Sequence, residues 1–149
     1  MDDYMRGIEE RLKSVQGTDG EPLNGVTILR EDAAEMETQV KKAIEENGML
    51  ILIGQPTEQN TDQSKHVANM KVTSGLGIGE NPTLWRSGPG GAGKPSAMVV
   101  ADRVMSLLQN FGLVGFQPLR VQRAEPVQDK KRQLYELSIE SQTVVQKSH

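Results

Sequence analysis

Asp32-Ala-Ala-Glu-Met-Glu-Thr-Gln-Val-Lys-Lys-Ala-Ile-Glu-Glu-Asn-Gly-Met-Leu-Ile-Leu-Ile53 decides the fold class, because the hydrophobic period changes inside it. Ala33, Met36, Val40, Ala43 and Ile44 recur at helical spacing and form one stripe. Asp32 is placed to cap that helix, and Glu35 stands three residues on, at the capping-box position. Gly48 suits the left-handed residue past a helix end. Met49 to Ile53 is then an unbroken apolar run of strand length, which reads as a buried strand. A helix that leads at once into a buried strand predicts a core shared by both kinds of element.

Upstream, residues 2–16 read as a helix. Ile8, Leu12 and Val15 share one face, with Tyr4 and Met5 on or beside it, and Gly17 and Gly20 stop it. Gly17 to Gly25 is a loop, and Val26 to Leu29 a short strand. Downstream, residues 54–64 are polar and aperiodic and predict an exposed, mobile loop, either a contact element or a disordered segment. Residues 65–80 alternate. Ala68, Met70, Val72, Leu76 and Ile78 point one way, and Gly75, Gly77 and Gly79 lie on the other face. Glycines there bend a strand or let another backbone approach.

A second Gly/Pro-rich loop spans 81–94. The next helix has Pro95 in its first turn, an apolar face of Ala97, Val100, Val104, Leu107, Leu108 and Phe111, and Gly112 at its end. Phe116 to Arg123 and Gln133 to Val145 read as paired strands. The expectation is an α+β fold in one domain over residues 1–149. It has a mostly antiparallel sheet of about four to five strands, two helices packed on it and an additional N-terminal helix.

Composition narrows the functions. The chain has 149 residues, no cysteine and two histidines, His66 and His149. Disulfides and thiolate metal sites are excluded. A histidine metal site is not expected, and no metal or cofactor is assigned. No run approaches the roughly 20 apolar residues of a membrane span, and the acidic N-terminus is not a signal peptide. Synthesis in a reducing cytoplasm and no membrane partner are therefore expected. Residues 1–63 carry 14 acidic and 6 basic side chains, and residues 64–149 carry 6 acidic and 11 basic ones. Such a split suits head-to-tail association, although it also describes uneven surface decoration.

Gly88-Pro-Gly-Gly-Ala-Gly-Lys-Pro-Ser96 nearly matches the phosphate-binding loop. In that loop backbone amides cradle phosphates and a hydroxyl after the lysine holds magnesium. Here Pro95 fills the hydroxyl position and Ser96 comes one residue late. Gly75, Gly77 and Gly79 do not have dinucleotide-fingerprint spacing. His66 has no motif partner for a catalytic triad, so no catalytic residue is assigned and the chain is expected not to be an enzyme. Arg120, Arg123, Lys130, Lys131 and Arg132 make a basic hairpin. With only five aromatic residues in the chain, a base-stacking platform is not expected. Trp85 and Arg86 are either a binding anchor or, for the tryptophan, a plug at the core edge.

Glu80-Asn-Pro-Thr-Leu-Trp-Arg86, the glycine loop, Lys94-Pro-Ser-Ala97 and the helix to Leu108 together resemble a recurring pattern in small tail and neck proteins of tailed phages. In that pattern a strand ends in Asn-Pro, an arginine-bearing loop and a glycine turn follow, and an alanine-rich helix comes next. Trp85-Arg86 stand where the pattern has asparagine-arginine. The resemblance implies a tail-terminator-like structural protein of the virion, made in the host bacterial cytoplasm. Such proteins form homo-oligomeric, typically hexameric rings. They sit on the last ring of the tail tube protein, stop its polymerisation, face the neck or head-connector protein, and in contractile tails touch the sheath protein. Trp85, Arg86, Arg120, Arg123, Lys130, Lys131 and Arg132 are the candidate contacts with subunits or partners. The alternatives are a neck or head–tail joining protein and, from the Gly88–Ser96 loop, a nucleotide-binding protein.

Overall fold

The computed structural model describes residues 2–60, 67–68, 70–86, 93–113, 115–123, 127–129, 132–142 and 145–146. Helix α1 (Asp2–Lys13) precedes strand β1 (Thr27–Arg30). Helix α2 (Met36–Lys42) runs into a π-helical segment (Ala43–Asn47) and then β2 (Met49–Ile53). Strands β3 (Thr57–Asn60), β4 (Val67–Ala68) and β5 (Met70–Glu80) follow. A single helical turn, α3 (Pro82–Trp85), leads towards helix α4 (Ala97–Leu108). Strands β6 (Arg120–Arg123), β7 (Val127–Asp129), β8 (Arg132–Gln142) and β9 (Val145–Gln146) close the chain.

The main sheet has the order β1-β2-β5-β8-β6, with β3 also on β5 and β7 also on β8. Among the described residues, only β1 and β2 pair in parallel, which the intervening α2 crossover permits. The pairs β2–β5, β3–β5, β5–β8, β6–β8 and β7–β8 are antiparallel. The fold is therefore α+β. A separate two-stranded sheet joins β4 to β9.

The core lies on one face of the sheet, beneath α1 and α4. Tyr4, Ile8 and Leu12 of α1 are fully buried at i, i+4, i+8 spacing, and Val100, Val104 and Leu108 of α4 repeat it. They meet Met49, Ile51 and Ile53 of β2 and Val72, Leu76 and Ile78 of β5. Leu50 points to the outer face, where Ala43, Ile44, Val40 and Leu29 cover it. Burying a side chain of this size contributes roughly 2 kcal/mol, so the alternating strand pattern fixes which face is inner.

Several expectations are corrected. Asp32 does not cap α2, because the Arg30 guanidinium holds it in a fork at 2.9 and 2.6 Å. Glu35 adopts a left-handed conformation (φ 56°) and makes no capping bond, so the helix starts at Met36. Pro95 lies outside α4, since Ser96 is the cap and its Oγ accepts the Val99 amide at 3.4 Å. That helix ends at Leu108, before the left-handed Asn110 (φ 63°), and not at Gly112. Within the predicted loop 54–64, residues 57–60 form β3, which borrows the edge of β5; residues 61–64 lie outside the described set. The predicted loop 81–94 opens with α3. Phe116 makes a single β-bridge, and the continuous strand begins only at Arg120.

Candidate functional site

The motif segment folds into one junction between the end of β5 and the start of α4. Glu80 is paired in register with Met49 and is fully buried. Asn81 donates its amide to the Gly48 carbonyl at 2.8 Å, and its own carbonyl accepts the Trp85 amide at 2.9 Å, closing the α3 turn. The turn swings Trp85 inward until 1% of it is exposed. Its indole Nε1 donates to the Pro95 carbonyl at 2.8 Å, tying the near side of the glycine loop to the far side. The Lys94 ammonium stands 4.3 Å from the ring centroid, a cation–π distance.

Gly48 is required here on two counts. Its φ is 91°, and an added Cβ would lie 2.9 Å from the Trp85 amide nitrogen. The π-helical segment delivers that glycine, with the Gly48 amide reaching back to the Ala43 carbonyl at 2.9 Å. It also aims Asn47, whose Nδ2 meets Gly25 O, Thr27 Oγ1 and Met49 O at 2.9–3.0 Å.

The Glu80 carboxylate is the electrostatic centre of the junction. Oε1 accepts the Ala97 amide at 3.1 Å, so a buried anion sits on the first free N–H of α4. Oε2 lies 2.7 Å from Arg86 Nε. That contact is a charge contact rather than an aligned hydrogen bond, since Oε2 has no partner of hydrogen-bond geometry. Arg86 keeps 39% of its side chain exposed and so covers the buried charge from the solvent side.

This arrangement bears directly on the phosphate-loop reading. A nucleotide phosphate needs the amides at the helix N-terminus. Here the Glu80 carboxylate takes the Ala97 amide and Ser96 Oγ takes the Val99 amide. A phosphate there would have to displace a buried carboxylate of its own charge sign. Residues 88–92 of the loop lie outside the described residues.

Of the sequence-derived candidates, Trp85 and Arg86 meet at this junction. Trp85 plugs the core edge, which is one of the two readings of it. Arg120 is exposed at the other end of β5, in the row Thr73–Glu140–Arg120. Seven residues of strand separate Thr73 from Glu80, about 23 Å. Arg132 begins β8 near the Glu80 end, where Glu80 pairs with Gln133, whereas Arg123 ends β6 opposite Leu137, in the row of Leu76 midway along β5. The basic residues are thus spread along the β6–β8 ladder, and Lys130 and Lys131 lie outside the described residues. Beside Arg120 a small pocket of about 180 Å³ is lined by Lys71, Glu140 and Gln117.

Sequence reasoning quoted Glu80 but gave it no role. The signal was its parity, because it continues the buried series Val72, Ser74, Leu76, Ile78. The fork between Arg103 and Glu21, at 2.9 Å twice, had no signal, since 82 residues separate the partners. Among the described residues, no group of three or more histidines and carboxylates is placed to hold a metal, and no helix is long and apolar enough to cross a membrane.

No family model matches the chain, and no curated protein matches it. A solved structure is similar over 99% of both chains, at 12% sequence identity and a TM-score of 0.48. That likeness concerns the course of the chain alone.

Proposed function

We propose that this chain is a tail-terminator-like subunit, which forms a ring on the end of a tail tube, stops tube growth and offers its free side to the neck. The observation that carries this reading is the junction itself. The residues quoted for the phage-tail resemblance, Glu80, Asn81, Trp85, Arg86, Pro95 and Ala97, bond to one another as one unit. They therefore behave as a structural signature and not as scattered identities. The glycine loop is held at both ends, by Trp85 on one side and Pro95 on the other. The element order that the resemblance implies is also present, with a helix before the first strand, a helix leading into the apolar strand, and a closing strand pair.

The reading assigns the tube protein and the neck protein as partners, and further copies of this chain as ring neighbours. It is tested by removing the gene from a producing strain and imaging the tails. A terminator leaves tubes of unregulated, excessive length. A neck protein leaves tails of normal length without heads, and that result would replace this reading with the neck alternative.

A further inference from the structure

Asparagine is followed by glycine twice in the chain, at Asn24-Gly25 and at Asn47-Gly48. In this dipeptide the backbone nitrogen after the asparagine reaches the side-chain carboxamide carbon most easily. Glycine has no side chain to crowd that nitrogen, and it accepts the backbone angles that a ring between the two demands. The structure puts the two copies in opposite environments. Asn47 is locked. Its Nδ2 donates to Gly25 O, Thr27 Oγ1 and Met49 O, and among the described residues no donor reaches its Oδ1. The Gly48 nitrogen already donates to the Ala43 carbonyl at 2.9 Å, and a Cβ at Gly48 would lie 2.9 Å from the Trp85 nitrogen, so the segment has no room to bend.

Asn24 is arranged the other way. It is half-buried, in the turn before β1, and Gly25 is exposed with φ 77°. The Gly17 amide donates to Asn24 Oδ1 at 2.7 Å. That oxygen takes the negative charge when a nucleophile adds to Cγ, so the Gly17 N–H stabilises the addition. The nucleophile is the Gly25 nitrogen, and among the described residues its N–H has no partner.

We propose that Asn24 is a self-modifying site, which loses ammonia through attack by Gly25 and becomes aspartate or isoaspartate while Asn47 stays intact. Hydroxide takes the Gly25 amide proton, and the nitrogen adds to Asn24 Cγ. The Cγ–Nδ2 bond then breaks, ammonia leaves with a proton from water, and a five-membered imide is closed. Water opens the imide at Cγ to give aspartate, or at the backbone carbonyl carbon to give isoaspartate. Either product removes the Nδ2 donor, which meets the Thr18 carbonyl at 2.6 Å, and adds a negative charge to the loop. Isoaspartate also lengthens the backbone by one carbon just before Gly25. The Gly25 carbonyl accepts Asn47 Nδ2, and a Cβ at Gly25 would lie 3.6 Å from the Trp85 ring, so the change is coupled to the junction.

The test incubates the full chain in mildly alkaline buffer, folded and in guanidinium chloride, and follows tryptic peptides by mass spectrometry. Loss of ammonia and gain of water raise a peptide's mass by about one dalton. Asp19-Gly20 in the same loop closes the same imide by losing water and returns without a mass change, so that gain reads Asn24. In the folded chain Asn24 is expected to react at least as fast as in denaturant, and Asn47 at least about tenfold more slowly than in denaturant, because it must first open locally. A folded chain that protects Asn24 as well as Asn47, or that leaves Asn47 as reactive as in denaturant, overturns the assignment. Asn24→Gln cannot close the five-membered ring and serves as the control for Trp85 fluorescence. The wild-type emission is expected to drift in step with the modification while Asn24→Gln stays constant. Equal drift in both, or none in a fully modified wild type, overturns the coupling to the junction.

Discussion

The Glu80 carboxylate holds the amide of Ala97 at 3.1 Å while buried beneath Arg86, so the last residue of β5 anchors the first residue of α4 across 17 positions of sequence. A carboxylate at a helix N-terminus is favoured by the helix dipole, and burial makes its loss costly.

Removing the covering cation tests that link. Arg86→Ala leaves the Glu80 charge buried with one fewer partner and is expected to cost about 2 kcal/mol of unfolding free energy. Glu80→Gln in the Arg86→Ala background should recover part of that loss, because the uncompensated charge is gone. Chemical denaturation of the wild type, Arg86→Ala, Glu80→Gln and the double variant gives the coupling directly. A change within about 0.5 kcal/mol for Arg86→Ala would mean the pair is an ordinary surface contact.

Glycine substitutions should separate into two kinds. Gly48→Ala forces a Cβ towards the Trp85 backbone at a left-handed φ and is expected to destabilise by more than about 1 kcal/mol. Gly75→Ala meets open space and should be neutral or stabilise by up to about 1 kcal/mol in the isolated chain. Equal losses at both positions would contradict the environments described for them.

Trp85 is the only tryptophan, so its fluorescence reports the junction alone. Its emission should be blue-shifted and poorly quenched by iodide in the native state. Trp85→Phe keeps most of the volume but leaves the Pro95 carbonyl without its donor, at a cost of about 1 kcal/mol. Trp85→Ala opens a cavity and should cost about 3–5 kcal/mol. Native emission like that of the unfolded chain would place the ring in water and sink the account of the junction.

The Arg103 fork on Glu21 should show in the acid limb of stability. The hydrogen bonds from Arg103 hold the Glu21 carboxyl below its ordinary value. Arg30 does the same for Asp32. A depressed folded value means that the stabilisation is present above the unfolded value and is lost as pH falls through the folded one. Melting temperature should therefore fall across the carboxylate range on acidification, and Glu21→Gln should flatten that slope. An identical slope in Glu21→Gln would remove this pair from the explanation.

Much of the fold was legible because burial alternates cleanly in the elements that build it. Val72, Leu76 and Ile78 declare β5, and Val100, Val104 and Leu108 declare α4. The start of α2 was misread because a capping signal is local, whereas Asp32 is engaged by an arginine on the preceding strand. Strand β3 was invisible because its polar residues form a strand only by pairing with β5. At the candidate site, Trp85 and Arg86 stood out by residue type. Glu80 did not, because its role depends on the Ala97 amide that the fold brings to it.

The central claim is that this chain ends a tube. Its most direct test is to add the purified protein to polymerising tube protein from the same particle and measure tube lengths by negative-stain microscopy. The account predicts shorter tubes, each carrying a ring of extra density at one end. Tubes of unchanged length with bare ends would contradict it.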